Sequence, residues 1–91
     1  MRAENAQNVV DGNAVAGMLW DVFQADVSGL IGVCGGCGTS APVAEAVVEI
    51  DDAAAIVRCR SCTHTLFTVL REGERVRVVV GTLHELVRPQ A

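Results

Sequence analysis

The chain has 91 residues, of which 51% are hydrophobic and 20% charged, with a formal net charge of −4. That length makes one domain with a thin core, and that composition is too apolar for a disordered chain. Its apolar runs, such as residues 53–57, fall far short of the roughly 18 residues that suggest a membrane span, and no basic start leads into an apolar stretch as in a secretory signal. Charge is unevenly placed. Residues 1–52 hold one Arg against eight acids, residues 53–91 hold six Arg against three acids, and Lys is absent. The acidic total argues against binding nucleic acid by bulk attraction to phosphate, while the Arg-bearing half keeps a local version of that idea open.

In chain order, residues 1–10 read as a flexible start. Asp11-Gly12-Asn13 is a turn or cap signal, because short polar side chains accept from the free amides of a helix start. Val15, Met18, Leu19, Val22 and Phe23 then recur at helical spacing, which predicts an amphipathic helix over 13–24 with Trp20, Asp21 and Gln24 beside the stripe. The stripe is expected to pack on the domain's own sheet. The rival expectation is a helix that docks on a partner or a second copy with Trp20 as anchor.

A connection over 26–32 precedes a short strand near 30–33. Pro42 ends the next loop, and residues 43–50 read as a strand with Glu45 and Glu49 on one side. Asp51-Asp52 is a turn rather than a second metal site. Residues 54–58 form the return strand, 65–71 a third, and 75–83 a fourth after the turn Glu72-Gly73-Glu74. In the fourth, Val76, Val78 and Val80 share one face and Arg75, Arg77 and Val79 the other. Residues 84–91 read as a fraying tail.

The four cysteines form two Cys-x-x-Cys pairs, Cys34-Gly35-Gly36-Cys37 and Cys59-Arg60-Ser61-Cys62, separated by 21 residues. Two residues between cysteines let one tight turn aim both thiolates at an ion. A second turn, returned by a hairpin, completes a tetrahedron with Zn–S near 2.3 Å. The gap is one residue beyond the usual upper limit of about 20 for such paired turns. Gly36 and Gly38 suit turns that need close backbone approach or a left-handed residue. Thr63 stands where Gly38 stands in the first turn, and a β-branched residue is strained there if φ is positive.

Four thiolates leave no open corner, the mark of a structural site rather than a catalytic one. One structural Zn²⁺ is therefore the expected cofactor. Iron in the same sulfur cage, as in a rubredoxin-like electron carrier, and a dithiol redox role are the alternatives. Against iron, Trp20, Phe23 and Phe67 are the only aromatics. A reducing cytoplasm is the expected setting, since four cysteines there serve metals more than disulfides. His64, two residues after Cys62, either replaces a cysteine, donates to a thiolate or merely neighbours the loop. His84 and Glu85 are expected at the surface. Arg58, Arg60, Arg71, Arg75 and Arg77 are candidates for a basic patch that grips nucleic acid, with a solvated polar face as the plainer reading. In a further arrangement, the acidic half of one copy meets the basic half of another.

At these two Cys-x-x-Cys turns the chain resembles the zinc-ribbon family. The longer run, Asp11-Gly12-Asn13-Ala14, a helix, Cys34-x-x-Cys37-Gly38, Ala44-Glu45-Ala46-Val47-Val48 and Cys59-x-x-Cys62, is similar to a family of small, uncharacterised actinobacterial proteins over roughly residues 9–85. The resemblance implies a one-domain cytoplasmic zinc ribbon with an N-terminal helix, metal ligands Cys34, Cys37, Cys59 and Cys62, and no assigned activity. The expectation is an α+β domain: one helix on an antiparallel sheet of three to four strands, with a zinc-bound β region over 30–83. Its expected function is non-enzymatic, a protein-interaction or regulatory module of the transcription or translation machinery with a protein partner or a second copy. Nucleic-acid binding is the second expectation and iron electron transfer the third.

Overall fold

The computed structural model describes residues 9–89. Among them are one α-helix and eight strands in two antiparallel sheets, so the α+β class and the N-terminal helix hold while the strand count exceeds the expected three to four. The five-stranded sheet has the order β1 (Val9–Asp11), β4 (Val47–Ile50), β5 (Ala54–Arg58), β6 (Thr65–Glu72), β7 (Arg75–Val80). The smaller sheet has β2 (Ile31–Cys34) between β3 (Ser40–Pro42) and β8 (Leu83–Val87).

Local chemistry explains most element ends. Asp11 accepts from the amide of Asn13 through Oδ1 (3.1 Å), capping a 3₁₀ turn at Gly12–Val15 that feeds α1 (Ala16–Phe23). Gly12 has no substitute here: a Cβ would lie 1.7 Å from the Val43 carbonyl oxygen. The helix stops at Gln24, in the left-handed conformation (φ 57°), whose amide bonds to the Trp20 carbonyl. Asp51 turns the chain between β4 and β5 by accepting from the amides of Ala53 and Ala54 through Oδ1. The β6–β7 hairpin closes on the pair Glu72–Arg75, with Gly73 at φ 64°.

The core gathers Val15, Leu19, Val27, Val43, Val48, Ala55, Val57, Phe67 and Val69, joined by Cys34 and Cys59. In β5 alternate residues Ala55 and Val57 point inward, the period-two pattern of a half-buried strand. Each fully buried aliphatic contributes about 1.5–3 kcal/mol of burial free energy. The helical stripe is only partly used. Val15 and Leu19 are buried and Met18 packs at the core's edge, but Val22 and Phe23 are exposed. Trp20 is 51% exposed.

Three expectations are corrected. Residues 43–50 are not one strand: Val43–Glu45 is a 3₁₀ turn, because the amides of Val43 and Ala44 bond to the carbonyls of Leu30 and Ser28. The expected flexible start includes Val9 and Val10, which pair with β4, while residues 1–8 lie outside the described residues. The tail expected to fray over 84–91 holds most of β8, which pairs with β2 some fifty residues upstream. Strand pairing at that separation leaves no local signature. Residues 90 and 91 lie outside the described residues.

Candidate metal centre

Each Cys-x-x-Cys occupies the loop of a β-hairpin, one from each sheet. The first links β2 to β3 and the second links β5 to β6. The two loops fold alike, bond for bond. The amide of Gly36 donates to Cys34 Sγ (3.3 Å), and that of Ser61 to Cys59 Sγ (3.4 Å). Gly38 N–H bonds to the Cys34 carbonyl (2.8 Å), and Thr63 N–H to the Cys59 carbonyl (3.0 Å). Each loop closes with the first cysteine's amide on the carbonyl five residues on, Cys34 to Thr39 and Cys59 to His64, both at 2.9 Å. The residue after the second cysteine is left-handed in both, Gly38 at φ 81° and Thr63 at φ 65°. Thr63 therefore adopts the conformation its branched Cβ disfavours; its hydroxyl bonds back to the Cys62 carbonyl (2.6 Å).

All four Sγ atoms lie within 4.8 Å of one another. Cys34 Sγ is 3.7 Å from Cys62 Sγ, and Cys37 Sγ is 3.6 Å from Cys59 Sγ, so each close pair joins one sulfur from each loop. A tetrahedron with metal–sulfur distances near 2.3 Å has edges of about 3.8 Å, which these separations match. The thiols are free rather than disulfide-bonded. The donor set fits a closed tetrathiolate site.

Burial divides the four by position. Cys34 (2% exposed) and Cys59 (3%), the first of each pair, belong to the core, whereas Cys37 is exposed and Cys62 half-buried. Burial pushes the Cys34 thiol up, but the Cys37 amide, the Thr82 hydroxyl, the Gly36 amide and Cys62 outweigh it and bring it down to about 6. The Thr39 hydroxyl and amide lower Cys37. For Cys62 the largest influence, the His64 amide, lowers it, yet burial and the three neighbouring thiols together push it up to about 12. The cluster thus starts from two thiols that ionise more easily and one that resists, as expected when four like groups crowd together.

His64 lies where its sequence position suggested, with Nδ1 3.1 Å from Cys62 Sγ. Gly36 makes room for the ring: a Cβ there would sit 3.1 Å from His64 Nδ1. Gly35 is set against the other neighbour, its amide bonded to the Thr82 carbonyl (2.7 Å), where a Cβ would come within 2.8 Å. Thr39 and Thr82 were missed from sequence. Thr39 stands two residues after Cys37, as His64 stands two after Cys62, so the same offset marks it; its Oγ1 is 3.1 Å from Cys37 Sγ. Thr82 has no comparable signal, since it reaches the site only through tertiary folding.

Four of the five candidate arginines are ion-paired at the surface. Arg58 pairs with Glu49 (3.1 Å), Arg60 with Glu45, Arg71 with Asp21 (3.2 Å) and Arg77 with Glu72 (3.4 Å). Three of these pairs join an acid of the first half to an arginine of the second within one chain. His84 and Glu85 are at the surface, as expected, 3.9 Å apart.

The fold and site together describe a small α+β domain whose two Cys-x-x-Cys hairpins converge on one potential metal site. Over residues 4–91 the chain matches DUF6510, a family of unknown function, and belongs to it. No curated protein and no solved structure matches the chain significantly. Among the described residues no helix is long and apolar enough to cross a membrane.

Proposed function

We propose that the chain is a non-enzymatic structural-zinc module of the cytoplasm that works by protein contact, in the setting of transcription or translation. The observation that carries the zinc reading is the convergence of four sulfurs at tetrahedral spacing, with two of them in the core. Such a cluster offers no open corner for substrate, which favours a structural role over catalysis. Cys34, Cys37, Cys59 and Cys62 would hold the ion, and the amides of Gly36 and Ser61 would offset thiolate charge. Bound there, the ion would cross-link the two sheets.

Protein contact is favoured over nucleic acid because four of the five candidate arginines already hold carboxylates. Exposed Trp20 and Phe23 offer apolar anchors instead. Metal analysis of protein purified under reducing conditions tests the first half of the proposal. One zinc per chain is expected, and stoichiometric iron would overturn it. Binding to random-sequence DNA and RNA at low salt is expected to be absent; salt-sensitive binding would restore the nucleic-acid reading.

A further inference from the structure

The five-stranded sheet ends in two very different edges. β1 is three residues long, whereas β7 has six and runs against β6 in unbroken register. Among the described residues nothing pairs with the outer side of β7. Proline, a bulge or charged side chains commonly blunt such an edge, and of these β7 carries only Arg75 and Arg77, on the face away from the helix. Here Val76, Val78 and Val80 line the helix side, and no residue of β7 is proline.

The backbone polarity of that edge can be read. Gly81 N–H bonds to the Leu66 carbonyl (2.8 Å), flanking the pair Phe67–Val80. Phe67–Val80 is therefore a non-hydrogen-bonded pair, and alternation makes Thr68–Val79 and Leu70–Arg77 the bonded ones. It follows that Val76, Val78 and Val80 direct their N–H and C=O groups outward. The side chains of Val78 and Val80 also border an apolar groove with Leu19, Phe23 and Leu86. Val80 is 63% exposed.

We propose that β7 is a homodimer edge, pairing antiparallel with β7 of a second copy about a two-fold axis at Val78. This rests on the protein-contact reading above and names its surface and its occupant. A two-fold axis normal to the sheet keeps like faces together, so only registers centred on a residue are allowed. Centring on Arg77 opposes the two Arg77 side chains. Centring on Val78 instead sets Arg77 against Val79 of the second copy, and Val76 against its Val80. Opposed Arg77 side chains disfavour the first register, and Val78 is the one centre that pairs all three outward-facing residues with one another. The three outward-facing residues then form three bonded pairs across the axis. The product is one ten-stranded sheet with both helices on the same side and both grooves brought to the seam.

Sedimentation equilibrium and amide exchange on the intact chain test this. A mass of two chains is expected, together with slower exchange at Val76, Val78 and Val80 as concentration rises and no change at Arg75, Arg77 and Val79. Val80→Lys, at an exposed position, is expected to give folded monomer. Val78→Pro should do the same, since it removes an outward N–H without touching the β6 ladder. A single-chain mass up to millimolar concentration would overturn the proposal. So would a dimer that keeps its mass in Val80→Lys and leaves the β7 amides unprotected. Metal content measured on the same samples separates the two readings. A zinc-loaded monomer overturns edge pairing alone, while a metal-free dimer with protected β7 amides supports edge pairing and overturns the zinc module.

Discussion

The two cysteine loops share the backbone hydrogen bonds made within them but differ in what surrounds them. The first, Cys34 to Gly38, is built of glycine where it touches its neighbours, against Thr82 on one side and His64 on the other. The second, Cys59 to Thr63, carries Arg60, Ser61 and a left-handed Thr63. The same loop geometry is therefore met twice, once by residues with no Cβ to clash and once by residues whose side chains face outward. The requirement lies in the N–H···S bonds, and side chains vary where space allows.

This comparison can be broken most severely at the buried sulfurs. Cys34→Ser and Cys59→Ser are expected to lose metal and fold together, because the proposed structural zinc would supply about 10–16 kcal/mol, as much as a small domain's whole stability. Chelation of the wild type should do the same, followed by circular dichroism. Cys37→Ser and Cys62→Ser, nearer solvent, should bind metal weakly and leave more residual structure. If Cys59→Ser stays folded with its metal, the structural role assigned to the site is wrong.

The next effect is steric and confined to the first loop. Gly35→Ala drives a Cβ toward the Thr82 carbonyl and is expected to destabilise by about 2 kcal/mol, read in denaturant melts of the metal-loaded protein. The equivalent change in the second loop, Arg60→Ala, should stay within about 0.5 kcal/mol, since it loses only an exposed ion pair. Equal costs would show that the loops are not distinguished by packing. A third test concerns the side chains beside the outer sulfurs. His64→Ala is expected to weaken zinc binding by about tenfold in chelator competition, and Thr39→Ala by less. The smallest effect is conformational. Thr63→Gly should stabilise by about 0.5–1 kcal/mol by relieving the left-handed Thr, and Gly38→Thr should cost about 1 kcal/mol.

The four-cysteine cluster was legible in sequence because a Cys-x-x-Cys carries its own geometry in four residues. The same holds for the Asp11 cap, the Asp51 turn and the β6–β7 hairpin, each specified by neighbours along the chain. What could not be read depends on distant partners. The 3₁₀ turn at Val43–Glu45 exists because Leu30 and Ser28 present carbonyls to it. β8 exists because β2 has an open side. The half-used helix stripe has a similar cause. Periodicity finds Val22 and Phe23 as readily as Val15 and Leu19, but only the sheet's extent decides which are covered. The arginines were legible as charges and illegible as pairs, since Glu49, Glu45 and Asp21 reach them only after folding.

The pairing of β2 with β8 also has a bearing on the order in which the chain folds. Residues 31–34 have to wait for residues 83–87, so the smaller sheet is completed only when nearly the whole chain is available. An ion joining Cys34 to Cys62 would shorten that search, leaving about twenty residues of slack in place of about fifty. By loop-closure entropy this is worth about 0.7 kcal/mol, beyond whatever the metal contributes by its bonds. Metal uptake before β8 docks would therefore speed that docking, and a chain cut before Leu83 would leave β2 with β3 as its sole partner among the described strands.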